Sequence, residues 1–584
     1  MSSKLSKKEV LKMLLFLAIV VFLMMSIQVY KKAIFLGDDI TFHYQRFYEM
    51  YMQIKNGNLN YFQSIYSFNS SGRIINALYG YDFAFIQGII LSIFRSWAKF
   101  QIVSSFLCFY TSGVSMYFLA RTIKLSPKFS FIGSVMYMTT SVVSSYPLYQ
   151  AFNGWGAAFV PLLFIPAIKS VVDSKKRINP VYLAIPVSIL LSVHTLSALI
   201  GVLAIIPFYI VSFLLEKNKL RWIKNGFIAV LLALLLVANT IFSYIDVYSS
   251  NKIYGPTLIQ KMSDFSAIPT LGGNDLKSLG LVVSIVFIFQ IAYSILNWNK
   301  YPLIYKLINS VGIVFLVLSS TIIPWDALAA RLDFLQVLQF PHRFLMIPYV
   351  LLLLGFLITI SDLYSKLGEA NKSVLFSIAV TIAGLMVFGL NSAITNKTTI
   401  WFSDSPQNNG NNGYALRERN PQKIRDGFKD KDLTKAFEIV VKGTSDYLPM
   451  PENEDAEDLL NKGPYGMYYR EIVDNQKGYK RKISDNGSII LSWENTTGKT
   501  EEKVVPVIIY GHSVVKLNGS EIKPTELSKT EIGVAKVKSI PGRNELVVGY
   551  KPLISMKIAF ALKMIGLISS VLFLFLNNNK KRKH

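Results

Sequence analysis

Two adjacent carboxylates, Asp38 and Asp39, follow the first long apolar run and open the stretch GDDITFHYQRFYEM. A carboxylate beside cations at a membrane boundary can take a proton from a hydroxyl while the cations hold an anionic leaving group. From Ile40 onward Tyr44, Phe47, Tyr48 and Tyr51 recur at helical spacing, and Asn56-Gly57-Asn58 stops the pattern. The spacing predicts a short amphipathic helix with His43, Arg46 and Gln53 on its other face, His43 and Arg46 being neighbours. Asp39 is a natural N-cap for that helix, worth roughly 0.5–2 kcal/mol, and Asp38 then stays for a ligand, although the two roles are interchangeable. One helix needs only one cap. Two carboxylates could also hold a divalent cation, but a lone adjacent pair does not demand one, and no other cofactor is indicated.

Further candidates lie along the chain. SSGRIINALYGYDFAF (70–85) supplies Arg73, Tyr79 and Asp82. Tyrosines beside an acid suit sugar stacking and hydroxyl recognition, or they anchor the chain at a headgroup boundary. His194, in SVHTLSAL, falls near the outer end of an apolar run, where a His needs a partner: a ligand or a neighbouring helix carbonyl. His342 and Arg343 stand with Arg331 around one loop. Arg343 there could clamp a phosphate with bidentate geometry that Lys cannot match, snorkel to lipid phosphate, or pair with Asp326 or Asp333. Asp246 and Asp264 are weaker candidates.

The elements that must position these residues use lipid as solvent. The chain of 584 residues is 52% hydrophobic and 17% charged, with a mean hydropathy of +0.38, too apolar for a soluble protein of this size. The net charge of +25 sits in short loops between apolar runs, a positive-inside bias that argues against nucleic acid as a partner. A single cysteine, Cys108, excludes an intramolecular disulfide and a cysteine metal cluster. Five histidines without H-E-x-x-H spacing give no zinc motif.

Apolar runs predict spans near 10–30, 100–121, 128–147, 156–172, 180–197, 199–215, 223–245, 277–297, 303–323, 343–362, 372–392 and 554–576. The run 83–94 (FAFIQGIILSIF) is too short to cross. Skipping it brings the basic clusters at 121–128, 169–177, 217–224, 300–306, 366–372 and 580–583 to the cytoplasm. It therefore reads as an interfacial helix on the outer surface. The expected fold is mainly α: a polytopic helical membrane protein of about twelve spans with both termini cytoplasmic. Residues 31–99, 246–276 and 393–553 fall outside. The last carries SIILSWEN, KVVPVIIYGHSVVKLNG and NELVVGYKP, alternating segments broken by turn residues. Three parts follow: a membrane domain over 1–392 with a long first outer loop at 31–99, an extracytoplasmic β-sandwich-like domain over 393–553, and a final span with a basic tail over 554–584. No internal repeat is visible, which counts against a transporter built from duplicated halves.

An uncleaved first helix, an acidic pair at its exit, a long first loop ending in an interfacial helix and a terminal outer domain together resemble the glycosyltransferase-C superfamily. LQFPHRFL (338–345) and TSDYLPMP (444–451) are similar to strings of the bacterial YfhO-like, 6-pyruvoyl-tetrahydropterin synthase-related membrane proteins. His342 stands where that pattern has Trp, and NGWGAAFVP (153–161) lacks the Arg and Glu of many relatives. The resemblance implies transfer of a sugar from a polyprenyl-phosphate donor to a cell-envelope glycan or teichoic-acid-type acceptor on the outer face. The superfamily's first-loop base maps onto Asp38 or Asp39. A lipid-linked glycan flippase and a non-catalytic glycan-binding scaffold are the alternative readings.

Overall fold

The computed structural model describes residues 7–173, 177–255, 259, 261–272, 275–406, 415–441 and 443–582. Lys175 and Lys176 of one expected basic cluster, the first six residues and the last two lie outside them. The chain is mainly helical. In order run α1 (Lys7–Met24), α2 (Ile40–Asn56), α3 (Tyr81–Phe94), α4 (Trp97–Thr122), α5 (Pro127–Met138), α6 (Ser141–Tyr149) and α7 (Asn153–Val172). Then come α8 (Pro180–Val193), α9 (Thr195–Leu215), α10 (Lys219–Leu236), α11 (Ala238–Ser250), α12 (Leu281–Leu296), α13 (Leu303–Ser319), α14 (Met346–Lys366) and α15 (Glu369–Phe402).

Among the described residues six helical segments are long and apolar enough to cross a membrane: α4, α7, α9, Pro341–Lys366, α15 and Met556–Phe575. The pair α10 and α11 passes the same test together but bends by 69° at Val237. α3, α8, α12 and α13 are apolar but shorter. Several expected spans are thus interrupted. The run 128–147 divides into α5 and α6 because Thr139 and Thr140 turn their hydroxyls back onto the carbonyls of Val135, Met136 and Tyr137. The first span stops at Met24 and resumes as a short helix over Ser26–Lys31. α14 is enclosed almost throughout, whereas α15 is buried on one narrow stripe. A bundle with one central helix and exposed apolar flanks suits lipid on its perimeter.

α3 spans about 21 Å at 1.5 Å per residue, short of an apolar core about 30 Å thick. It buries Phe83, Ala84, Gln87 and Leu91 against the first loop and exposes Ile86, Ile89 and Ile93.

The expected β-rich segment is narrower than its boundaries. α15 continues unbroken to Phe402, past the boundary at 393, because nothing in NSAITNKTTIWF breaks a helix. Residues 415–479 hold short helices and the two-residue pair β1 (Ala415–Leu416) with β2 (Val440–Val441). The strands proper are β3 (Lys480–Ile483), β4 (Ile489–Asn495), β5 (Glu501–Ile508), β6 (Ser513–Leu517), β7 (Ser520–Ile522), β8 (Val534–Ser539) and β9 (Gly542–Tyr550). They form an antiparallel sheet ordered β3-β4-β9-β6-β7 and a two-stranded sheet β5-β8. Ile489, Leu491, Val505, Val507, Val537 and Leu546 fill one core between the sheets. The last helix, α16 (Met556–Arg582), returns to the bundle.

Candidate functional site

The acidic pair sits in a turn wedged against α6. Gly37 donates its N–H to Gln150 Oε1 at 2.8 Å, and a Cβ on it would stand 2.2 Å from the Tyr149 carbonyl oxygen. Only glycine allows that approach. The turn then separates the two carboxylates. Asp38 is exposed and in electrostatic reach of Tyr149 and Lys397. Asp39 is half-buried and in reach of Tyr79 and Arg343. Asp39 occupies the N-cap position of α2, but its side chain makes no capping hydrogen bond, so the expected capping role is not the one it fills. Gly57 closes the helix in the left-handed region at φ 70°.

α2 is not the two-faced helix expected. His43, Arg46 and Gln53 are as buried as its aromatic residues, because the first loop folds over them. Arg46 Nε donates to Asn76 Oδ1 at 3.1 Å, Nη1 to His43 Nδ1 at 3.0 Å and Nη2 to the Tyr79 carbonyl. Its guanidinium stands 4.5 Å from the Tyr79 ring centroid. His43 stacks on Phe152 at 4.5 Å. Burial pushes Arg46 down to about 10, still a cation at neutral pH. Burial pushes the Tyr79 phenol up to about 12 against the pull of Arg46, so it is a neutral donor.

Arg343 and His194 come to the same place from distant segments. Both arginines act electrostatically on His194, whose ring lies 6.1 Å from that of Tyr79. His194 Nδ1 accepts from Ser197 N at 3.2 Å and caps α9. Arg343 Nη1 donates to the Leu338 carbonyl at 2.8 Å, and its guanidinium lies over Phe340. Two residues absent from the sequence-based candidates complete the cluster. Tyr447 and Asp446 approach Tyr79 from TSDYLPMP, and Tyr447 holds a left-handed backbone at φ 64°, uncommon for a residue with a side chain. Its ring lies 6.3 Å from that of Tyr79. The short string itself was the signal that could have found them.

Other candidates do different work. Asp82 pairs with Lys563 Nζ at 2.5 Å and accepts from Asn239 Nδ2, so it ties α3 to α16 and lies apart from Arg46. Arg73 is fully buried, donating to Thr444 Oγ1 at 2.6 Å and to the Asp446 carbonyl. It anchors the segment that carries Tyr447. His342 Nδ1 donates to the Phe265 carbonyl at 2.8 Å and stacks on Phe340, a loop-to-loop tie. Asp326 accepts from Ser263 rather than from an arginine. The side chain of Asp333 is outside the described residues. Asp246 accepts from His512, from Tyr550 at 2.5 Å and from Leu553 N, joining α11 to β9. Asp264 offers its carbonyl to Lys277. Among the described residues no three His, Cys, Asp or Glu side chains converge as metal ligands, and Asp38 and Asp39 address different neighbours.

The cluster therefore combines the carboxylates of Asp39 and Asp446, two guanidinium groups, neutral tyrosines and the imidazoles of His43 and His194. The formal charges balance, and the two guanidinium groups keep the donor geometry that suits a phosphate. No protein-family model matches the chain, and no curated protein is significantly similar to it.

Proposed function

We propose that this chain is a membrane glycosyltransferase of the glycosyltransferase-C type. It moves a sugar from a polyprenyl-phosphate donor to an extracytoplasmic cell-envelope glycan or teichoic-acid-type acceptor. The observation that carries the reading is Asp39 in electrostatic reach of Arg343 and Tyr79, with the buried guanidinium of Arg46 against the same ring. The proposed topology has about twelve spans, with the shorter helices counted, both termini cytoplasmic and residues 393–553 outside. Three parallel helices support it: α1, α5 and α15 begin at one end of the bundle with Lys12, Lys128 and Lys372, remote from Asp38 and Asp39.

In the proposed reaction Arg343 holds the donor phosphate, and Arg46 adds the field of its buried charge from behind Tyr79. Asp39 accepts the proton of the acceptor hydroxyl as its oxygen attacks the anomeric carbon. The bond from that carbon to the phosphate oxygen breaks, and the polyprenyl phosphate leaves with the electron pair and an added negative charge that the two arginines offset. His194 and Tyr447 line the sugar. Asp38 plays no chemical part. Replacing a general base costs about 10²–10⁴-fold, so D39N loses transfer to envelope glycan at normal membrane abundance while D38N stays within about threefold of wild type. Unchanged transfer by D39N would sink the assignment. The 69° break between α10 and α11 favours a flippase, since discontinuous helices recur in transporters. In that case D39N would trap donor on the cytoplasmic face.

A further inference from the structure

We propose that the end of the bundle opposite the acidic pair carries a specific site for an anionic phospholipid. A groove of about 830 Å³ runs between α1, α5 and α15. Phe16, Val20, Phe131, Val135 and Val380 line it, and Gly384 forms part of its floor. Asn391 Nδ2 closes the far end by donating to the Met24 carbonyl at 3.2 Å. Between Phe376 and Asn391 the groove follows α15 for about 22 Å at 1.5 Å per residue. That exceeds the roughly 15 Å of one leaflet's hydrocarbon, half of a core about 30 Å thick, so a whole acyl chain fits.

Charge at the open end identifies the headgroup. Lys128 lines the groove, donates to Tyr364 Oη at 2.6 Å and stands 4.9 Å from the Phe376 ring centroid. Lys12 lies 5.7 Å from the ring of Phe16. Lys372 is paired with Glu369 at 2.7 Å, and that carboxylate is also in electrostatic reach of Lys128; Lys12, Lys128 and Lys372 against Glu369 leave a positive surplus for a phosphate. A basic pocket between membrane helices is the arrangement that selects anionic headgroups. A second groove of about 640 Å³ among α8, α9 and α10 is equally apolar; Lys219 stands 4.5 Å from the ring of its Phe213 but is held there by the Phe213 and Leu214 carbonyls. Bulk lipid would fill both, and only the first distinguishes headgroups. The site is independent of the transferase reading, because its phosphate end lies away from Asp39 and Arg343.

The test uses the full chain purified in detergent and stripped of lipid. Native mass spectrometry then follows phosphatidylglycerol and phosphatidylcholine with the same acyl chains. One phosphatidylglycerol is expected to be retained preferentially. K12Q/K128Q should lower that preference by about 25-fold, at about fivefold for each lysine. G384F should block the site without harming the fold, because a Cβ at Gly384 meets nothing within 4 Å; an unchanged thermal midpoint checks this. Equal retention of the two lipids by the wild type overturns the proposal, as does a preference that survives K12Q/K128Q or G384F. Displacement of the lipid by a polyprenyl phosphate would also overturn it, since the groove would then belong to the donor.

Discussion

Replacing Arg46 by lysine keeps the charge and removes the fork. The guanidinium reaches three acceptors at once, Asn76 Oδ1, His43 Nδ1 and the Tyr79 carbonyl. These come from its own helix and from two points of the first loop. An ammonium on a lysine stem can reach one of them. The other two lose a bond to a charged donor in a site closed to water, at about 1.5–3 kcal/mol each, or about 3–6 kcal/mol together. That is a large part of an ordinary domain's stability of about 5–15 kcal/mol. Unfolding of the purified protein by SDS titration in mild detergent measures the loss, and transfer activity at a permissive temperature measures the function. R46K should fall in that range, and R46A, which loses all three bonds, should lose more. If R46K lost less than about 1 kcal/mol, Arg46 would act as a point charge only, and the view that it fixes Tyr79 against α2 would be wrong.

Three further outcomes are expected. K563M should cost about 3 kcal/mol, because it strands Asp82 with only Asn239, and D82N/K563M should recover most of the loss in the same titration. Burial holds the Glu49 carboxyl above its ordinary value of 4.5. Between the unfolded and folded values the native chain keeps a proton that the unfolded chain has released. Stability should therefore fall as pH rises through that window, and E49Q should flatten the slope in pH-dependent unfolding. R343K should lower transfer by about tenfold or more with little change in stability, since Arg343 makes a single described hydrogen bond, to Leu338. Equal losses in both measurements would make Arg343 a structural residue.

What the sequence disclosed was local. The helix over Ile40–Asn56 and its Gly57 stop follow from aromatic spacing, and β4 and β9 follow from alternation. The short helix α3 follows from its length. Pairings across hundreds of residues left no such trace. Asp82 reads as a loop acid until Lys563 of the last helix meets it, and nothing in the sequence shows that His194 caps its own helix through Ser197 N while its ring lies beside Tyr79. Hydropathy also hides breaks: Thr139 and Thr140 end a helix inside an unbroken apolar run because their hydroxyls satisfy its last carbonyls. The two aspartates are adjacent in sequence, so no pattern separates them. The turn that Gly37 presses onto Tyr149 sets them toward different neighbours.

The first loop and the strand domain pack as one unit. Glu49, on the helix that carries Arg46, accepts from the backbone N–H groups of Ile65, Tyr66 and Ser67, from the Ser67 hydroxyl and from Gln53. That knot fixes Ile65, whose side chain is fully buried in the core between the two sheets, beside Ile489 and Val507. Ser71 accepts from Ile508 N at 2.8 Å, and Tyr510 Oη donates to the Tyr447 carbonyl at 2.9 Å. The strand domain therefore lacks part of its core without the loop, and the loop lacks its outer support without the strands. This coupling carries Tyr447 to Tyr79 and keeps both in register with Arg46. The wall beside the arginine cluster is thus built by the strand domain and set by Glu49.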